Sequence, residues 1–402
     1  MILFPLSLAF LWLAGLLSIA MPLVGLFLIA RWFRLRHRSV LSRNRRNGTD
    51  DNTRVAVPRK LPVWPLALGL FLLFWTFAGS TVIGLSLPGA GERPDQLQDP
   101  QPRVERRVQT PGGNILLVRD YGPENAPTVF LTHGWSMDNR EWQYLKRDLA
   151  GQFRLIVWDL PGLGQSNEPK DRVYSLERLA ANLNQIILET GVTRAMLVGH
   201  SIGGMVNLTY CRLFPERLGH PVIGIVQLNT TYTNPIHTTS NAKLSESLQK
   251  PFFEPLLHVT VFLSPWVRAM NWLANQNGLA QLQAHQSSFA GTETRAQLDF
   301  AASYNYRSSP AVVARGMLAM LHWDASEVLP RISVPVLVVT GRQDTTTLPS
   351  ASHKMAETIP GAQILEVDHA AHLGPVEQHQ QYDAAIRDFA TKTFNALPRL
   401  LP

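Results

Sequence analysis

Gly199-His200-Ser201-Ile202-Gly203, followed by a further Gly204, sets a serine between glycines directly after the apolar run Ala195-Met196-Leu197-Val198. A helix-like stretch, Met205 to Leu213, comes next. Strand, sharp turn and helix, with serine at the apex, is the geometry that exposes a hydroxyl for nucleophilic attack. Glycines on both sides allow a strained turn whose backbone passes close to its neighbours. With glycine near 7% of residues, G-x-S-x-G arises by chance roughly one time in ten in a chain of this length. The rest of a catalytic apparatus must therefore decide the matter.

Short apolar runs recur along the C-terminal part. Residues 115–118, 128–131, 155–158, 195–198, 223–226, 334–339 and 363–367 read as strands. Amphipathic helices lie between several of them. The helix over 175–190, for example, opens at Ser175 with Glu177 in its first turn. Such alternation predicts a doubly wound, mostly parallel α/β sheet with helices on both faces. Residues 234–325 break the rhythm and are rich in aromatics, among them Phe252, Phe262, Trp266 and Trp272. They read as an inserted helical cap. The core is then 105–233 together with 326–402.

Ser201 is a weak nucleophile unless a histidine accepts its proton and an acid orients that histidine. On a sheet with a serine elbow the chain order is serine, then acid, then histidine. The strand ending at Val339 leads to Thr340-Gly341-Arg342-Gln343-Asp344, and the strand ending at Val367 leads to Asp368-His369-Ala370-Ala371-His372. Both turns fall at the strand edge where open sheets place their sites. Asp344 and His372 are therefore the expected partners of Ser201, with His369 the competing base. The strand ending Gln227-Leu228-Asn229 offers no rival carboxylate.

Taken together, these segments resemble the serine-type α/β-hydrolase superfamily over about 105 to 395. Leu131-Thr132-His133-Gly134-Trp135 resembles its His-Gly segment after the third strand. Asp159-Leu160-Pro161-Gly162-Leu163-Gly164-Gln165-Ser166 resembles its Asp-x-x-Gly-x-Gly-x-Ser turn. Gly341 to Asp344 resembles its acid turn. Ala371-His372 to Glu377 resembles its Gly-His-x-x-x-x-Glu ending, with alanine replacing glycine. The Glu377 spacing favours His372 over His369. The resemblance implies an oxyanion hole formed by the backbone N–H groups of Ile202 and Trp135. His133 and Gly134 would support that loop rather than move protons, and the Trp135 ring would wall the pocket.

Charge is unevenly spread. The chain carries 37 Lys and Arg against 30 Asp and Glu. Residues 31–60 hold ten of the bases and only Asp50 and Asp51 as acids, and removing them leaves 27 bases against 28 acids. A nucleic-acid footprint on the folded part is not supported. The lone cysteine, Cys211, cannot form an internal disulfide and reads as a buried thiol. No H-E-x-x-H or paired-cysteine pattern indicates a metal, and no cofactor is implied.

Residues 1–30 and 61–90 contain no charge. Each supplies the roughly 20 apolar residues a helix needs to cross a bilayer. The first lacks a basic n-region and has its basic flank on the wrong side for a cleaved signal peptide. The expectation is two transmembrane helices over 1–88, joined by a basic loop at 31–60, with a linker at 89–104. Ten bases in a short loop keep it cytoplasmic. The catalytic part would then lie outside the cytoplasmic membrane.

The expected protein is a membrane-anchored serine hydrolase that cleaves carboxylic esters, including lipid-like acyl compounds, through an acyl-enzyme. Its partners would be an acyl substrate and the bilayer, with no obligate protein partner. The same triad would also suit a thioesterase, amidase, C–C hydrolase, acyltransferase or cofactor-free perhydrolase. An inactive membrane-bound binding module is the reading from another class.

Overall fold

The structure is a computed structural model that describes residues 6–46, 61–86, 99–110, 112–239 and 241–396. The seven short apolar runs and one further, charged strand form one eight-stranded sheet: β1 (Val104–Gln109), β2 (Ile115–Tyr121), β3 (Thr128–Thr132), β4 (Arg154–Trp158), β5 (Ala195–His200), β6 (Val222–Leu228), β7 (Val336–Gly341) and β8 (Gln363–Val367). Their spatial order is β1-β2-β4-β3-β5-β6-β7-β8. β2 pairs antiparallel with both β1 and β4, and the remaining pairs are parallel. Every residue of β3 to β7 is buried, as helices on both faces require. From β3 the chain winds toward β4, and from β5 it winds toward β6. The crevice beyond their C-terminal ends is thus the switch point where open sheets bind ligands.

The helices are α1 (Leu6–Arg46), α2 (Trp64–Ser86), α3 (Gln143–Leu149), α4 (Leu176–Thr190), α5 (Ile202–Leu213), α6 (Ala242–Leu248), α7 (Glu254–Phe262), α8 (Ser264–Gln276), α9 (Leu279–Ser288), α10 (Arg295–Arg307), α11 (Pro310–Met320), α12 (Pro349–Thr358), α13 (Gly374–Glu377) and α14 (His379–Ala396). α4 shows how local chemistry sets their bounds. The Ser175 side chain accepts the Arg178 N–H, and Gly191 ends the helix in the left-handed region at φ 62°. Its Leu179, Leu183 and Ile186 face the sheet and are fully buried. α6 to α11 lie between β6 and β7, where residues 234–325 read as a cap.

β1 is not among the seven strands expected from the sequence, and one expectation needs correction. β1 has no apolar run. Its Val-Glu-Arg-Arg-Val-Gln sequence is an edge strand whose charges discourage further pairing. The basic stretch is not a loop from residue 31, because α1 continues through Arg46. Arginine and leucine are good helix formers, and neither Gly nor Pro occurs between Gly25 and Gly48. The rest of that stretch, and residues 89–98 of the expected linker, lie outside the described residues.

α1 and α2 are both long and apolar enough to cross a membrane. They cross closely at Gly25 and Gly69, where a Cβ on either would press on the other's backbone carbonyl. One end of α1 docks on the cap. Trp12 Nε1 donates to Thr260 Oγ1 at 3.0 Å, and Asn277 Nδ2 donates to the buried Ser18 Oγ at 2.8 Å.

Candidate active site

Ser201 sits between β5 and α5 at φ 54°, ψ −118°, a conformation side chains rarely adopt. The flanking glycines explain how the turn is accommodated. A Cβ at Gly199 would overlap the Gly203 carbonyl, and a Cβ at Gly203 would overlap the Thr132 carbonyl. The turn is held by the Ser201 N–H, which donates to the Leu228 carbonyl at 3.0 Å. Thr230 Oγ1 donates to the Ser201 carbonyl at 2.6 Å. The turn is thus tied to the end of β6 and the residues that follow it, and the hydroxyl stands above the sheet edge.

The structure brings the three expected side chains together. His372 Nε2 lies 3.0 Å from Ser201 Oγ, and His372 Nδ1 lies 2.9 Å from Asp344 Oδ2. Asp344 follows β7 and is fully buried. Its Oδ1 accepts the N–H groups of Thr346 and Thr347, and its Oδ2 accepts Thr347 Oγ1–H. Burial alone would raise the Asp344 carboxyl. The adjacent His372 imidazole and the Thr347 hydrogen bonds hold it below the usual carboxylate range instead. An ionised Asp344 fixes the proton on His372 Nδ1, which leaves Nε2 free to accept from Ser201. His369 is exposed, and its backbone carbonyl accepts from Thr292 Oγ1 and Gln378 Nε2.

Ile202 is the first residue of α5, so its N–H has no helical acceptor one turn behind. Trp135 follows the His133-Gly134 segment on the other side of Ser201. His133 Nδ1 donates to the Gly134 carbonyl at 2.8 Å, while its Nε2 accepts the Leu160 N–H at 3.0 Å. Both ring nitrogens are thus spent on the loop. The Trp135 indole N–H donates to the Val313 carbonyl of α11 at 2.9 Å, fixing its ring beside the pocket.

Three supporting residues escaped the sequence reading. Asn229 ends β6 where no carboxylate stands. Its Nδ2 donates to Asp344 Oδ2 at 3.0 Å and to the Ala371 carbonyl at 2.7 Å, so it ties the acid to the histidine loop. Tyr382 orients it by donating to Asn229 Oδ1 at 2.6 Å. Glu141 is buried behind the elbow. It accepts the Gly134 N–H at 2.7 Å and pairs with His200. His200 Nε2 in turn faces the His372 carbonyl at 2.9 Å. The elbow histidine therefore links the Gly134 loop to the His372 loop.

Both ring nitrogens of His200 face acceptors, which fits the imidazolium form. Burial would lower the His200 pKa, but Glu141 and the His372 carbonyl hold it above 6.5. Burial would raise Glu141, and His200 and the Gly134 N–H hold it below 4.5. The His200 contribution to stability is full below 6.5 and is lost as pH rises through its raised folded value. The Glu141 contribution is present above 4.5 and is lost as pH falls through its depressed one. Glu141→Gln should therefore cost about 3 kcal/mol near pH 5.5. That cost should shrink at alkaline pH. Thermal unfolding of both proteins across pH checks this, and a pH-independent difference would deny the ion pair.

The other singled-out groups have local partners. Asp159 Oδ1 accepts the Asn139 backbone and side-chain N–H groups, and Oδ2 accepts the Gln165 N–H, shaping the turn after β4. Glu377 accepts the N–H groups of Ala290, Thr292 and Ala371, tying the histidine loop to the cap. Burial pushes the Cys211 thiol up to about 12, so it stays protonated. His237 and His322 lie at the cap surface beside Glu246 and Glu254.

A cavity of about 270 Å³ opens above Ser201 and His372. Trp135, Met205, Leu257, Val267 and Met317 give it an apolar lining. Its volume is near the lower end for small-molecule sites, about 300–1,000 Å³. The arrangement can pass a proton from serine to histidine and hold the resulting imidazolium beside the buried Asp344.

A family model described as the alpha/beta hydrolase fold matches residues 127–378. The chain is 25% identical over 286 residues to the "Putative carbamate hydrolase RutD" of Serratia proteamaculans, covering 69% of this chain and 96% of that protein. It is 23% identical over 267 residues to the pimeloyl-[acyl-carrier protein] methyl ester esterase of Vibrio campbellii, covering 66% and 95%. Among solved structures, a thermophilic esterase from Thermogutta terrifontis superposes with a TM-score of 0.60 at 24% identity, covering 72% of this chain and 99% of the esterase.

Proposed function

Because the chain belongs to the alpha/beta hydrolase fold family, we propose that it is a membrane-anchored serine hydrolase of carboxylic esters. The observation that carries this reading is the unbroken chain Ser201 Oγ, His372, Asp344, at 3.0 and 2.9 Å. His372 Nε2 takes the Ser201 proton as Oγ adds to the acyl carbon. The oxyanion that forms rests on the N–H groups of Ile202 and Trp135. Asp344 stabilises the His372 imidazolium, which protonates the leaving alcohol as the C–O bond breaks. Water, deprotonated by His372, then attacks the acyl-Ser201 carbon. The acid departs and the proton returns to Ser201.

The anchor reading rests on α1 and α2. Their outward residues are large and apolar, with Leu23, Phe27, Phe74 and Phe77 each about three-fifths exposed. A contiguous exposed apolar surface of this kind on two bilayer-length helices suits a membrane. Arg31, Arg34, Arg36 and Arg38 lie on the part of α1 farther along the chain from the cap contacts. The positive-inside tendency places that end in the cytoplasm and the catalytic body on the opposite side.

One experiment tests nucleophile and sidedness together. A membrane-impermeant fluorophosphonate is applied to intact spheroplasts carrying the full chain. The wild type should be labelled before lysis, and Ser201→Ala should stay unlabelled before and after. Labelling only after lysis would reverse the orientation. Absence of labelling in both conditions would deny the nucleophile.

A further inference from the structure

The wall of the cavity above Ser201 includes the first apolar helix itself. Leu8, Leu11 and Trp12 of α1 line the same space as Ser201 and His372. They belong to one helical face, 8, 11, 12, 15 and 18, at the i, i+3, i+4 spacing of a packed stripe. Gly15 of that face lies against Met270 of α8 so closely that a Cβ there would displace it. Leu8 is only 6% exposed and completes a cluster with Phe253, Leu257 and Ala314 of the cap. The Trp12–Thr260 and Asn277–Ser18 hydrogen bonds lock the register. The opposite face of the same turns presents Leu13, Leu16 and Leu17, each at least half exposed.

The cap beside α1 is apolar on its outer side as well. Phe262, at the end of α7, is 84% exposed, and Trp266 of α8 is 68% exposed. Large exposed aromatics next to a bilayer-length helix are suited to a membrane interface. Across the cavity, Leu257, Val267, Met270 and Met317 face α1. The amides of Asn271, Asn305 and Gln283 also reach this space. Asn271 is bonded to the Asn305 carbonyl and Asn305 to Gln283, so these amides are partly satisfied among themselves.

We infer that α1 and the cap together form an acyl-chain subsite, in which Leu8, Leu11 and Trp12 set chain length. Its ligand is the long acyl chain of a bilayer-partitioned ester. The inference rests on the serine-hydrolase reading and extends it. A long chain seated there lies along the helix that continues into the bilayer, so it leaves hydrocarbon surroundings for a space walled by Leu, Met and Trp side chains together with the Asn271, Asn305 and Gln283 amides. The ester carbonyl then reaches Ser201. A short ester fills only the space near Ser201 and gains nothing from α1. The helix thus serves as part of the substrate site as well as an anchor.

The test uses the full chain reconstituted in phosphatidylcholine vesicles, with p-nitrophenyl butyrate and p-nitrophenyl palmitate as probes. Leu11→Trp fills the subsite and should lower the palmitate-to-butyrate ratio of kcat/KM at least tenfold. Leu17→Trp, on the outward face, should leave that ratio at the wild-type value. Leu11→Ala enlarges the subsite and should shift the preferred chain toward greater length, which keeps the inference testable if tryptophan is not accommodated. Equal ratios in the wild type, Leu11→Trp and Leu11→Ala, with hydrolysis still abolished by Ser201→Ala, would overturn the α1 subsite alone. Hydrolysis that survives Ser201→Ala would overturn the underlying serine reading instead.

Discussion

Ser201→Ala lowers kcat/KM toward carboxylic esters by at least about 10⁴-fold, while the protein unfolds within a few degrees of the wild type. The size of the loss follows from what remains. Without Oγ, His372 has no hydroxyl to deprotonate and no acyl-enzyme can form. The cavity and the two N–H donors can still bind an ester and polarise it, which leaves a residual rate. The fold should tolerate the change. Alanine meets the same strain at φ 54° as serine does, and the elbow is held through the residue 201 N–H and carbonyl, bonded to the Leu228 carbonyl and the Thr230 hydroxyl, with no part played by the side chain at 201. His372 keeps its bond to Asp344. Steady-state kinetics alongside thermal unfolding check both halves, and activity above about 1% of wild type would contradict the account.

Asp344→Asn should cost roughly 10⁴-fold in kcat and also destabilise the fold by about 2–3 kcal/mol. The surroundings of this carboxylate consist of donors: two backbone N–H groups, Thr347 Oγ1, Asn229 Nδ2 and His372 Nδ1. An amide supplies one oxygen to accept them and an NH₂ that must face donors. Either His372 adopts the tautomer with its proton on Nε2, useless toward serine, or the Thr346–Thr347 turn loses its acceptor. The wild-type carboxyl is held below its ordinary range, so its stabilisation is present above about pH 4 and is lost as pH falls through the depressed value. The stability gap between wild type and Asp344→Asn should accordingly narrow in acid. Thermal unfolding at several pH values, with kcat measured on the same preparations, checks this.

Much of the site was legible because its parts obey chain order. Ser201, Asp344 and His372 each follow an apolar strand, and the sheet gathers those strand ends at one edge. Glu141, His200 and Asn229 show where that reading stops. Glu141 meets His200 through folding alone, and no local spacing records that a carboxylate on one loop will pair with an elbow histidine. Asn229 was noticed only for not being acidic, although its amide joins Asp344 to the Ala371 carbonyl. β1 escaped because an exposed edge strand carries charges where a central strand carries valines. The start of α1 was legible as apolar but not as a pocket wall. Leucine and tryptophan serve equally well against lipid and against the cap, and only packing separates the two faces.

The proposed mechanism passes through a Ser201 acylated during turnover, which mass spectrometry reads directly. Full-length protein is mixed with an activated ester whose acid is released slowly, quenched in acid within the first turnover, and analysed by intact and peptide mass. A mass gain equal to one acyl group is expected on the peptide containing Ser201, absent from Ser201→Ala. Rapid release of the alcohol with no adduct on that peptide, or an adduct on another residue, would contradict it.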